Sequence, residues 1–206
     1  MIGQKGDLRI IQYNVWKSAN KVIIEFMTQD EVRSADILAI QEPWRNPFNG
    51  EGYNPSRGPF RLIEARTAGT RVSIYLNRRF RDEDFEILKV SKDLISIAIL
   101  AEEGDKRVRT TIHNGYNPPP ESKSVREEPQ QLVELRNAIE IRGPQILLGD
   151  FNLHHPRWRG EGIIKHRLAD NLLESTDRAG LASLLSQGLI TRKLVVNKGQ
   201  ANERVQ

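Results

Sequence analysis

Apolar residues occur in short dense runs separated by polar stretches, and the period of each run predicts an element. Leu8 to Asn14 reads as a strand that ends in polar residues. Val22, Ile23, Phe26 and Met27 recur at helical spacing after Ser18, which predicts a helix capped by that serine. Asp36 to Glu42 holds four consecutive apolar residues, the mark of a strand covered on both faces. Arg71 to Asn77 alternates, with Val72, Ile74 and Leu76 on one side. Phe85 to Val90, Leu94 to Leu100 and Arg107 to His113 follow as antiparallel strands, the last two joined by a Gly104-Asp105 turn. A helix from about Glu128 to Ile141 presents Leu132, Leu135 and Ile139 and stops at Gly143-Pro144. Ile146 to Asn152 is another buried strand, and His166 to Arg178 a helix with Leu168, Leu172 and Leu173 inward and Gly180 past its end. Trp44 to Pro59 and Gly115 to Pro129, rich in Pro and Gly, read as long surface loops.

Parallel-type strands beside helices, with an antiparallel middle, predict a layered α/β sandwich. A length of 206 residues fits one domain at about 150 residues each, with residues 191–206 as a polar tail that has lost its period. There is no cysteine, which excludes disulfide frameworks, thiolate zinc sites and cysteine nucleophiles. The net charge of +4 mildly favours an anionic partner. The longest nearly apolar run, Leu94 to Ala101, is far short of the ~20 residues a bilayer requires. Met1 to Asp7 is polar and carries no signal core, so no membrane partner and an intracellular location, nuclear or cytoplasmic, are expected.

Three buried strands switch abruptly from apolar residues to a carboxylate or carboxamide: at Asn14, at Glu42, and at Asp150 with Asn152. Strand ends are where covered sheets expose their sites. In an extended segment Asp150 and Asn152 point the same way, ~6.5–7 Å apart, and Gly149 before them admits a close backbone approach. Each residue also admits a structural role, as a strand-ending cap or as a turn held by its own side chain. His154 and His155 have metal-ligand chemistry, but adjacent imidazoles diverge on a strand, so a packing or surface role is expected of each. His113 and Tyr116 stand between packing and function in the same way.

Four segments occur in order: Ile11-Gln-Tyr-Asn14, Leu38-Ala-Ile-Gln-Glu-Pro43, Asn114-Gly-Tyr-Asn-Pro-Pro119, and Leu147-Leu-Gly-Asp-Phe-Asn152 followed by His154-His-Pro-Arg-Trp158. Together they resemble the endonuclease/exonuclease/phosphatase superfamily over residues 7–190, and the double histidine resembles its non-LTR retrotransposon branch, where the domain accompanies a reverse transcriptase and nicks DNA. The resemblance implies a four-layer, deoxyribonuclease I-like sandwich and a phosphodiesterase using Mg²⁺ or Mn²⁺. It implies Glu42 as principal metal ligand, assisted by Asn14. Asp150 would prepare the attacking water, Asn152 would bind the phosphate, and Tyr116 would donate to a phosphate oxygen. Arg45, Arg71, Arg157 and Arg159 are the expected contacts to the DNA backbone.

The family's closing Asp-bearing strand and Ser-Asp-His segment find no counterpart: the last histidine is His166 and the last aspartate Asp177. The expectation is therefore a sandwich without its terminal strands, weakly active or inactive. A catalytically silent nucleic-acid-binding remnant and a phosphatase acting on a small phosphorylated substrate stand as alternatives.

Overall fold

Strand order and register place the ends of four strands at one edge of the molecule. The computed structural model describes residues 8–55, 57–103, 106–119 and 127–184. In chain order the elements are β1 (Ile10–Asn14), α1 (Asn20–Thr28), α2 (Asp30–Arg33), β2 (Ile37–Gln41), β3 (Phe60–Ile63), β4 (Val72–Asn77), β5 (Phe85–Val90), β6 (Leu94–Glu103), β7 (Lys106–Tyr116), α3 (Gln130–Ile139), β8 (Gln145–Asp150), α4 (Pro156–Arg159) and α5 (Arg167–Arg178). They form two mixed four-stranded sheets, ordered β1-β2-β4-β3 and β5-β6-β7-β8.

The period-two alternation of the strands sorts their side chains into three cores. Between the sheets lie Ile37, Val72, Ile74 and Leu76 of the first and Ile95, Ile97, Ile99 and Ile112 of the second. On the outer face of the first sheet, Leu38, Ile40 and Tyr75 pack against Ile23 and Met27 of α1 and Val32 of α2. On the outer face of the second, Leu94 and Leu147 meet Leu132, Leu135 and Ile139 of α3 and Ala169 and Leu172 of α5. The result is helix, sheet, sheet, helix: the expected α/β sandwich.

β1 and β2 run parallel, with Asn14 opposite Gln41. β7 and β8 also run parallel, with Tyr116 opposite Asp150. A polar wedge ties the two pairs together. Asn114 of β7, fully buried, donates its side-chain amide to Ile40 O (3.1 Å) and Ser73 O (2.9 Å) and accepts from Gln41 Nε2 (2.5 Å). Gln12 of β1 extends the clasp, donating to Gly149 O (3.0 Å) and accepting from Gly149 N (3.3 Å).

Several sequence expectations need correction. Ser18 does not cap α1: its hydroxyl turns back to Val15 O, and Ala19 occupies the cap position. The loop expected from Gly115 starts later, because Gly115 and Tyr116 complete β7. The short strand β3 follows Gly58-Pro59 within what read as loop and its aftermath. Asn152 lies beyond the end of β8 with φ +47°, so the extended Asp150-Phe151-Asn152 geometry does not form. The Gly104-Asp105 turn, the 191–206 tail and the expected loss of terminal strands fall outside the described residues.

Candidate active site

The converging strand ends bring Asn14, Glu42, Tyr116 and Asp150 into one hydrogen-bonded cluster. Asn14 Nδ2 donates to Asp150 Oδ2 at 2.8 Å and to Glu42 Oε1 at 3.4 Å. Its own oxygen accepts from Trp16 N at 2.9 Å, which fixes the amide with its nitrogen toward the two carboxylates. Tyr116 donates its hydroxyl to Glu42 Oε1 at 3.0 Å. Burial, and then its bond to Glu42, raises the Tyr116 hydroxyl well above its usual range, so it remains a proton donor through neutral and mildly alkaline pH.

Backbone geometry at two of these positions is strained. Glu42 and Asn152 both have φ near +47°, a left-handed conformation that non-glycine residues rarely adopt. Such strain persists only where surrounding bonds enforce it, and it concentrates at functional sites. Glu42 is held on both sides: its N–H donates to Arg71 O (2.8 Å) and its carbonyl accepts from Lys17 N (2.9 Å). Asn152 is held by its N–H to Asp150 Oδ1 (3.2 Å) and by its amide to Asn117 O (2.8 Å). It thus stands beside the cluster and braces the Asp150 carboxylate.

Asn117 was not anticipated as part of the site. Its N–H donates to Asp150 O (3.0 Å), its amide donates to Phe151 O (2.7 Å), and its oxygen accepts from Gln131 of α3 (3.0 Å). It clamps the end of β8 to the end of β7. The signal was present, since Asn117 directly precedes Pro118 and is thereby biased toward extended backbone. Gln12 and Asp93 were also missed. Asp93 is buried, accepts two bonds from the Arg71 guanidinium and offers its carbonyl to Tyr116 N (2.9 Å). That pairing holds Arg71 with its guanidinium 5.6 Å from the centre of the Tyr116 ring.

Of the four arginines expected to contact DNA, only Arg71 touches a cluster residue among the described contacts. Arg45 is paired with Glu64 at 2.8 Å, and Arg157 forms a fork to Asp177 at 2.7 and 3.0 Å. Arg159 lies exposed on α4. The histidines stand apart from the carboxylates. His113 is buried between Ser96 and Gln145, His155 caps α4 by accepting from Arg157 N, and His154 packs against His166.

The donor set suits a hard cation. The carboxylates of Glu42, just past β2, and Asp150, at the end of β8, both reach the Asn14 amide, and Mg²⁺ is commonly held by one or two carboxylates with water completing its shell. Among the described residues no group of three His, Cys, Asp or Glu could hold a metal by itself. Nor is any described helix long and apolar enough to cross a membrane.

Comparison with known proteins identifies the family and the fold. The model of the "Endonuclease/Exonuclease/phosphatase family" matches residues 11–198. Among solved structures, the chain is similar to the endonuclease domain of TRAS1, a telomere-specific non-LTR retrotransposon. The TM-score is 0.60 at 17% identity, covering 87% of this chain and 76% of that one. A humanized D. rerio TDP2 matches at a TM-score of 0.42 and 13% identity, over 72% of this chain and 64% of that one. No curated protein matches the sequence.

Proposed function

The chain belongs to the endonuclease/exonuclease/phosphatase family, and from that premise we propose that the cluster at Glu42 and Asp150 hydrolyses DNA phosphodiesters with the help of a bound Mg²⁺ or Mn²⁺ ion. The observation that carries this reading is the convergence of Asn14, Glu42 and Asp150 from three separate strand ends. Glu42 would hold the cation, with Asn14 orienting the carboxylate and the ion's water shell. A divalent ion there supplies positive charge against the phosphate oxygens.

The protein's own groups do the rest. Asp150, braced by Asn14 and by Asn152 N–H, accepts the proton of the attacking water. Tyr116, kept protonated, donates to a phosphate oxygen as charge builds there, and Arg71 behind its ring adds a fixed positive charge. Asn152, whose amide donates to Asn117 O in this structure, would bind the phosphate. Among the described residues no histidine is hydrogen-bonded to Glu42 or Asp150. Descent from a retrotransposon polyprotein with a reverse transcriptase is part of the same proposal; the TRAS1-like fold is compatible with it.

The test is nicking of supercoiled plasmid. Mg²⁺-dependent nicking that EDTA and Glu42→Ala both remove supports the proposal. Equal background from the wild type and Glu42→Ala overturns it, and salt-sensitive DNA binding alongside that result would favour a silent binding module instead.

A further inference from the structure

Two large aromatic side chains are exposed on the segments that leave the site-bearing strands. Trp16 follows β1 and is 66% exposed; Phe48 follows β2 and is 97% exposed. Because β1 and β2 are parallel neighbours with Asn14 opposite Gln41, both segments depart from the same end of the sheet, the end that carries Glu42.

Neither aromatic sits on a loose segment. The turn at Trp16 holds two successive left-handed residues, Trp16 (φ +50°) and Lys17 (φ +51°). It is locked onto the site by Trp16 N–H to Asn14 Oδ1, Lys17 N–H to Glu42 O and Val15 N–H to Gln41 O (3.0 Å). Phe48 rides on a compact hairpin closed by the Arg45–Gly52 bridge, by Asn46 N–H to Glu51 O (2.8 Å), and by its own N–H to Asn46 Oδ1 (2.9 Å). Arg45 and Glu64 tie that hairpin to the end of β3. Trp16 and Phe48 leave most of their ring surface in solvent, which forgoes much of the hydrophobic gain of burying them.

We propose that Trp16 and Phe48 form a stacking platform for unpaired nucleobases flanking the phosphate at Glu42, which makes single-stranded or locally unpaired DNA the preferred substrate. The proposal rests on the phosphodiesterase reading for the identity of the occupant. A flat apolar ring beside a cationic backbone contact is how sequence-tolerant single-strand binders hold DNA, and exposed Lys17 supplies the adjacent charge. A fully paired duplex keeps its bases stacked inward and offers such rings no face.

The experiment measures binding in EDTA, where cleavage is off, using a labelled single-stranded oligonucleotide that carries 2-aminopurine and a blunt duplex of the same sequence. The wild type is expected to prefer the single strand and to quench the 2-aminopurine. Trp16→Ala and Phe48→Ala should each weaken single-strand binding about 5- to 100-fold and restore the emission, with duplex binding changed less than about twofold. Trp16→Phe should keep most of the affinity. Circular dichroism melts matching the wild type show that these exposed substitutions leave the fold intact. Absence of wild-type binding to the single strand, unchanged binding by both alanine variants, or an equal loss on single strand and duplex overturns the platform. Because nothing in this measurement depends on cleavage, a protein that binds in this way yet fails to nick plasmid contradicts only the catalytic reading.

Discussion

Asn14 and Asp150 are 136 positions apart in sequence, yet the amide of one donates to the carboxylate of the other at 2.8 Å. Asn14 also reaches Glu42, so it stands between two acidic groups that would otherwise repel. Asn14→Ala should lower cleavage about 10–100-fold with a melting temperature close to the wild type, since the side chain is only half-buried. In the Asn14→Ala/Asp150→Ala double variant the losses should fall short of additive, because each removes the same bond. Steady-state rates on a short oligonucleotide, with parallel thermal melts, check both points.

Asn114 acts on the fold beneath the site. Its removal leaves Ile40 O, Ser73 O and Gln41 Nε2 without their buried partner. Ile40 and Ser73 stay paired in the β2–β4 ladder and Gln41 Nε2 keeps Ala39 O (3.4 Å), so three lost bonds at about 0.5–1.5 kcal/mol each should lower the unfolding free energy of Asn114→Ala by roughly 2–4 kcal/mol in urea. Activity should fall in the folded fraction as well, because the same wedge sets Tyr116 against Glu42.

Gly149 and Gly115 make a paired contrast. A Cβ on Gly149 would lie 2.2 Å from the backbone oxygen of Gly115, at a φ of +154°. No side-chain movement relieves a clash with backbone. Gly149→Ala is therefore expected to lower stability by about 3 kcal/mol or more, or to prevent folding. Gly115→Ala meets only the Phe151 ring at 3.3 Å and the Leu135 side chain at 3.4 Å, and should be the milder change in the same denaturation assay.

His113 predicts an acid limb in stability. Gln145 binds Ile139 O and Ile141 O with its nitrogen, so its oxygen faces His113 Nε2, which donates, while Nδ1 accepts from Ser96. Burial holds the ring below its ordinary pKa, and the folded protein keeps it neutral. The unfolded ring takes up a proton near pH 6.5, so stability present above that pH is lost as pH falls through the folded value. His154, depressed by burial and then by Arg159 and His166, adds in the same direction. Subtracting the stability–pH curve of His113→Gln from that of the wild type should leave a slope confined to pH below about 6.5.

Much of this was readable from sequence because the site is built at strand ends. The change from Ile40 to Glu42, and from Leu148 to Asp150, marks where a covered strand emerges, and a strand needs only local pattern to be recognised. What sequence pattern could not supply was contact across the two sheets. Asn114 and Gln12 look like any polar residue inside a strand; their partners, Gln41 and Gly149, lie 73 and 137 positions away. Asn152 was misplaced for a different reason. Period-two reasoning assumes the strand continues, and here the chain turns left-handed once Asn117 captures the Asn152 amide. Phe60 to Ile63 escaped notice because four residues after a Gly-Pro pair give too short a pattern to separate from a loop.

The proposed mechanism requires Glu42 to hold a divalent cation within reach of Asp150. Titration of the protein with Mn²⁺, followed by electron paramagnetic resonance of the free ion, measures this without reference to substrate or turnover. The prediction is one principal site per chain, weakened at least tenfold by Glu42→Gln and also weakened by Asp150→Asn, with both variants folded. A principal site that neither substitution affects, or no site above diffuse weak binding, would contradict it.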